Sequence, residues 1–278
     1  MHECVGAAQD QTFCTIYRKI YNNAELTFVF NEEWVQIRVV DSHNHIGRRI
    51  GWERSVEDLM REMDHAGIDM AVVFPIALAG KIDNDYVANA VKKYPDRLIG
   101  FATVDPQFGD SAVEELERCV TKLGLKGLKL HPDGSGYPID DHTKTDPIFE
   151  VCAKHRIPVI SHAQGDNPRT MPLQFEEMAK TFPDVTIMMA HMGAWQSTYQ
   201  AIRVAKRNDN LFLETAGNPF VGEISWALKE VGAHKIIMGT DTPFGDFEVS
   251  LKIIEKAVSK AEERNLVRGG NLEKILGI

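Results

Sequence analysis

The sequence predicts an α/β protein, a TIM-like (β/α)8 barrel. Three observations carry that expectation. Short apolar runs alternate with amphipathic helical stretches eight times from Val39 onward. The runs are apolar at nearly every position, as parallel strands buried on both faces should be. The first run is followed by Gly47-Arg48-Arg49-Ile50-Gly51, not by the G-x-G-x-x-G loop usual in a doubly wound open sheet. Eight consecutive strand-then-helix units close a barrel.

Residues 1–38 stand apart from this rhythm. Two β-like runs, Thr27-Phe28-Val29-Phe30 and Val35-Gln36-Ile37-Arg38, flank Asn31-Glu32-Glu33-Trp34. They read as a β-hairpin in an N-terminal extension, with residues 39–278 as the barrel. Strand one spans 39–45. The helix after it is marked at both ends, by a Ser55 cap with Glu57 and Asp58 in the first turn and by Gly67. Strand two (70–75) precedes a helix at 84–94, and strand three (98–104) a helix at 111–123. Strand four (127–131) stops at Pro132, and a Gly-rich loop then leads to a helix at 147–155. Strands five (158–162), six (186–191) and seven (211–215) precede helices at 173–182, 196–207 and 223–231. Strand eight (235–241) precedes a helix at 247–263, and residues 271–276 read as a short docking helix.

Composition narrows the function. The chain has 278 residues, of which 44% are hydrophobic, enough for one large core. A net charge of −9 gives nucleic-acid binding no electrostatic support. No apolar run approaches the roughly 20 residues of a membrane span, and the first residues carry no signal-peptide pattern. Cys4, Cys14, Cys119 and Cys152 lack zinc spacing and are expected as free thiols in a reducing, cytoplasmic setting.

Active sites of such barrels lie at the C-terminal ends of the strands. The strand ends here supply His43 and His45 (strand one), His131 (four), His162 (five), His191 (six) and Asp241 (eight). Side chains alternate along a strand, so His43 and His45 share a face, and Asp41 is expected on that face one layer deeper. Each histidine alone reads best as a strand-end residue bonded to a carbonyl. Their convergence on one rim with an aspartate points to a metal site. Nitrogen and carboxylate donors without thiolate suit Zn, Mn, Fe or Co. His43, His45, His162 and Asp241 are the expected ligands of one divalent ion, zinc first. Asp241 also serves as base, and His191 as the positioning or electrophilic group.

Asp41-Ser42-His43-Asn44-His45-Ile46-Gly47, Ile160-Ser161-His162, Met189-Ala190-His191-Met192-Gly193 and Gly239-Thr240-Asp241-Thr242-Pro243-Phe244-Gly245 resemble the amidohydrolase superfamily. They come nearest to its amidohydrolase-related branch, which includes proteins like aminocarboxymuconate-semialdehyde decarboxylase. The resemblance covers residue 39 to the end. It implies a distorted (β/α)8 barrel, metal ligation at the four positions given above, catalysis at His191, and by analogy a homodimer. Many members bridge two metals with a carboxylated lysine. Lys129 on strand four is the candidate here, so a second metal is the alternative to one.

The rim loops set specificity. Arg48, Trp52 and Arg169 are candidate contacts for a small anionic substrate, and His131 is a further one. The expected activity is metal-dependent hydrolysis of a small ester, lactone or amide. Non-oxidative decarboxylation of a small carboxylated substrate is the alternative. A barrel that only binds is the third reading, and the full ligand set argues against it.

Overall fold

The computed structural model describes residues 38–49, 52–76, 82–165 and 167–278, without the side chains of Arg49, Trp52 and Trp195. The expected hairpin at 27–38 lies outside the described residues, apart from Arg38.

The barrel forms in the expected order. Its strands are β1 (Val40–Arg49), β3 (Met70–Pro75), β4 (Leu98–Gly100) with β5 (Ala102–Thr103), β6 (Leu128–Leu130), β7 (Val159–Ser161), β8 (Ile187–Met189), β9 (Leu211–Glu214) and β10 (Ile236–Ile237). A short strand β2 (Trp52–Arg54) folds back antiparallel on the end of β1. It makes a rim hairpin that the sequence reading did not foresee. The strands form two ladders, β2-β1-β3-β4 and β10-β9-β8-β7-β6-β5, and all pairs but β1–β2 are parallel.

Two seams join the ladders and account for the distortion. At the first, the expected third strand breaks at Phe101. The Phe101 N–H still bonds back to Val73 O (2.9 Å), while the Ala102 N–H bonds forward to Gly127 O (2.8 Å). At the second, β1 meets the chain beyond β10. Ser42 N–H donates to Met238 O (3.1 Å), Asp241 N–H to His43 O (3.0 Å) and His45 N–H to Thr242 O (2.9 Å).

Helices α1 (Val56–Ala66), α2 (Asn84–Lys93) and α3 (Asp110–Thr121) follow the first strands. Helix α1 carries the Ser55 cap, with a reciprocal Asp58 contact, and ends at Gly67 in the left-handed region (φ 71°). The expected Gly-rich loop after strand four begins with a helical turn, α4 (Pro132–Ser135). Helix α5 (His142–His155) starts five residues before the expected 147 and holds Pro147 inside it. A proline marks a first turn, yet here it lies in the second turn and the helix runs on through it. Helices α6 (Pro172–Thr181), α7 (Ala194–Arg207) and α8 (Val221–Val231) match expectation closely. The expected helix at 247–263 is instead two, α9 (Phe247–Ala257) and α10 (Ala261–Asn265). The chain extends at Val258 (φ −119°, ψ 96°) between them, where its side chain is buried.

The apolar residues form two layers. One fills the space between strands and helices. The other fills the barrel, with Val72, Phe74, Phe101, Ile160 and Met188 stacked below the strand ends. The terminal helix α11 (Asn271–Leu276) inserts Leu272 into this inner layer. Asn271 Nδ2 fixes it by donating to Ala233 O (2.7 Å) and Ile236 O (2.8 Å). Leu272→Ala is therefore expected to destabilise the fold by about 2–5 kcal/mol in urea unfolding. The same change at exposed Leu266 should stay within about 0.5 kcal/mol.

Candidate metal centre

β1 and the turn after β10 bring three donors together. His43, His45 and Asp241 each offer a ligand atom, all within 4.8 Å of one another. Asp241 Oδ1 lies 3.2 Å from His43 Nε2 and 3.2 Å from His45 Nε2. The turn that delivers Asp241 is tight. Asp241 has φ 63°, a left-handed conformation uncommon outside glycine and held here by its surroundings.

The electrostatics suit a cation. Burial lowers both histidines, His43 well below the usual imidazole range and His45 despite the Asp241 carboxylate. Burial also pushes on Asp241, but His43, His45 and His191 outweigh it and hold that carboxyl below its usual range. A metal-binding histidine commonly gives its second ring N–H to a carboxylate, which fixes the tautomer. His43 does this: its Nδ1 stands 3.3 Å from Glu214 Oε2, leaving the Nε2 lone pair for the site. Glu214, at the end of β9 and fully buried, also accepts from Ser42 Oγ (2.9 Å) and Ala216 N–H (3.2 Å). The residues present thus fit a divalent ion with nitrogen and oxygen ligands.

Asp41 departs from expectation. A bulge between Asp41 and Asn44 shifts the register of β1 against β3. The Asp41 carboxylate leaves the metal face and accepts from Thr240 N–H (3.0 Å), Thr240 Oγ1 (2.5 Å), His43 N–H (3.2 Å) and Asn44 Nδ2 (3.0 Å). It ties the first strand to the last. The carboxylates acting on Lys129 are Asp241 and Glu214, against a burial that lowers the lysine. Lys129 Nζ donates to His43 Nε2 (3.1 Å), so it stands at the level of the ligands.

The remaining expected residues spread along the rim. His191 Nδ1 donates to Ala216 O (2.7 Å), so its Nε2 faces His162 Nδ1 (3.0 Å). His162 is outside the close trio, with Nε2 3.4 Å from Asp133 Oδ2. To act as a ligand it must exchange one of these partners for the ion. His131 stacks on His162 (ring centroids 4.1 Å apart) and is pushed down to about 3, by burial first and then Lys129. Arg48 is 80% exposed and pairs with Glu53 (2.8 Å) in the rim hairpin. The Arg169 backbone accepts from Ile139 N–H (2.9 Å), and neither arginine lines the cavity beside the trio. The Trp52 side chain is outside the described residues.

That cavity, about 340 Å³, is lined by His162, Gln164, His191, Gln196, Gly217 and Asp241. Sequence reasoning missed Gln164, Gln196 and Gly217 because they stand on loops and a helix start with no motif. Gly217 has φ 62°, and a Cβ there would lie 3.4 Å from His191 Nδ1 and 3.5 Å from Asp241 Oδ2. Glu214, the partner of His43, belongs to no motif in the sequence and is found only through the fold.

A parallel barrel carrying His-x-His on its first strand and an aspartate after its last is the architecture of metal-dependent barrel enzymes. The family model for amidohydrolases matches residues 40–278, and the chain belongs to that family, in its amidohydrolase-related branch. It is 25% identical over 241 residues to gamma-resorcylate decarboxylase of Polaromonas sp., covering 69% of this chain and 74% of that one. It is 27% identical over 236 residues to 2-amino-3-carboxymuconate-6-semialdehyde decarboxylase of Dictyostelium discoideum, covering 70% of this chain and 65% of that one. The solved dihydroxybenzoic acid decarboxylase of Polaromonas sp., with bound manganese and 2-nitroresorcinol, aligns with TM-score 0.68 and 19% identity over 86% of this chain and 97% of that one. The 5-carboxyvanillate decarboxylase of Novosphingobium aromaticivorans, with manganese and a nitrobenzoic acid, aligns with TM-score 0.70 and 17% identity over 87% and 97%. These likenesses establish the barrel fold.

The relatives overturn the expectation of hydrolysis. They are decarboxylases, which break a carbon–carbon bond. Their reaction is the alternative the sequence allowed. The physical reason for the misreading is that one ion on strand-end histidines can serve either chemistry. No helix among the described residues is long and apolar enough to cross a membrane.

The Glu214 contact yields a test. A Cβ on Gly239 would fall 1.4 Å from Glu214 Oε1. Gly239→Ala should displace Glu214 from His43 and weaken divalent-metal binding about 10–100-fold, read by calorimetric titration. Unchanged affinity would remove Glu214 from the site.

Proposed function

We propose that the chain is a metal-dependent non-oxidative decarboxylase of a small carboxylic acid, aromatic or similarly unsaturated. The observation that carries this reading is one cavity, about 340 Å³, whose walls include His191 and Asp241 next to the His43/His45 pair. The volume suits a single-ring acid. The decarboxylase relatives match over most of the barrel and support the same reaction.

His43, His45 and Asp241 would hold the ion, with His162 as fourth ligand. The ion is zinc in the sequence expectation and manganese in solved relatives. When bound, it supplies a positive charge that polarises substrate oxygens. A second ion would call on carboxylated Lys129.

The chain's own residues supply the rest. Decarboxylation needs a proton delivered to the carbon that loses the carboxyl group. A C–H bond forms, the C–C bond breaks, its electron pair returns to the ring, and carbon dioxide leaves. His191 Nε2 is the atom proposed to carry that proton. Its ring is oriented by the Ala216 carbonyl. Asp241 holds the substrate end of the site negative, and His191 takes up one proton from solvent to restore the donor for the next turnover. Gln164 and Gln196 offer carboxamides to ring substituents.

Incubation with manganese or zinc and a panel including 2,6-dihydroxybenzoate and 5-carboxyvanillate tests the reading. The expected outcome is one carbon dioxide per product and, in heavy water, one deuterium on the product ring. Addition of water without loss of carbon dioxide would overturn it. His191→Asn should lower kcat about 10²–10⁴-fold with metal content unchanged; full activity would remove His191 from the proton path.

A further inference from the structure

Asn44 stands between the two histidines of β1, and Thr242 follows Asp241. Side chains alternate along β1 beyond its bulge, so Asn44 points away from the metal donors, and the left-handed turn at Asp241 brings Thr242 to the same side. They meet behind them. Thr242 Oγ1 donates to Asn44 Oδ1 (2.5 Å), and the two residues form a parallel bridge. Thr242 Oγ1 in turn accepts from Arg54 Nη1 (2.8 Å), delivered by the rim strand β2. Arg54 is 3% exposed. Its Nη2 pairs with Glu62, and its Nε has no hydrogen-bond partner among the described residues.

The polarity of this chain is fixed. A guanidinium only donates. The Thr242 hydroxyl hydrogen must therefore go to Asn44 Oδ1. That sets the Asn44 amide with its Nδ2 toward Asp41 Oδ2 (3.0 Å) and Val72 O (3.2 Å). A one-way line of hydrogen bonds runs from the Arg54 cation to the Asp41 carboxylate. It passes behind His43, His45 and Asp241. A buried guanidinium with one unmet N–H is an expensive way to hold a turn, and an apolar contact would serve packing better. What the cation adds is direction, at the one place where a left-handed aspartate must aim between two histidines.

We propose that Arg54 and Thr242 are positioning residues that set the affinity of the site for its ion by fixing the Asp241 turn against β1. The inference rests on the metal reading above. Its test is titration of the chelator-stripped full chain with Mn²⁺ alone, by calorimetry, alongside the melting temperature of the metal-free form. Thr242→Val removes the hydroxyl and keeps the shape. It should weaken Mn²⁺ binding about 10–100-fold. Thr242→Ser restores the hydroxyl and should bind like the wild type. Arg54→Met leaves Thr242 and Asn44 in place and should also weaken binding, about 10-fold or more. A purely structural role would lower the melting temperature of Thr242→Val and of Arg54→Met while leaving their Mn²⁺ affinity at the wild-type value, and that result overturns the proposal. So does Thr242→Ser binding as weakly as Thr242→Val. A wild-type chain that takes up no Mn²⁺ overturns the metal reading together with this one, so the two failures are distinguishable.

Discussion

The structure depends on the seam where the first strand meets the last. Parallel barrels close only if strands one and eight can pair, and here that pairing also brings together the three donors His43, His45 and Asp241. Asp241 N–H bonds to His43 O and His45 N–H to Thr242 O, so the backbone bonds that shut the barrel flank the side chains of the site. Closure and site assembly are the same event. A chain that failed to close would leave His43 and His45 on one edge and Asp241 on another. The turn after β10 is one of the strained turns, with Asp241 at φ 63°, and the barrel holds it because Asp241 is bonded on both sides.

Below this seam the barrel is apolar, and above it is solvent. The titratable groups occupy the thin layer between. Their mutual contacts follow from that position, since a buried charge without a partner is costly. Lys129 answers Asp241 and Glu214; Glu214 answers His43; Asp41 collects four donors and leaves the cavity altogether. His43 Nε2 is shared most heavily, facing both Lys129 and Asp241. An ion held there takes the lone pair that Lys129 otherwise uses. A cation bound at His43 would therefore compete with Lys129 for one atom.

Much of this was legible in the sequence because barrel strands leave a strong signal. Both-face burial makes them apolar throughout, and their ends are where the polar residues resume, so His43, His45, His162, His191 and Asp241 stood out by position. What was hidden depended on register. The bulge in β1 turns Asp41 off the face that alternation assigned to it. The break at Phe101 splits a strand that reads as continuous. The rim hairpin looked like loop because its paired stretches, Gly47–Arg49 and Trp52–Arg54, are short and mostly polar. Helix α5 hid its true start behind Pro147, since a proline is the usual mark of a first turn.

The reaction was less legible than the site, and the reason is structural. Strand ends choose the ion, because ligand spacing must match a fixed barrel. Loops choose the reaction, because hydrolysis and decarboxylation differ in what the cavity admits beside the ion. Hydrolysis needs a water aimed at a carbonyl carbon. Decarboxylation needs a proton source over the carbon that will lose its carboxyl group and little room for water. Those demands fall on positions such as Gln164, Gln196 and Gly217, which carry no motif and lie on segments whose spacing is free to vary. A sequence can therefore state its metal chemistry clearly while leaving the bond to be broken unspecified. The cavity wall that Gln164, Gln196 and Gly217 form is the part of such barrels that must be read from the fold.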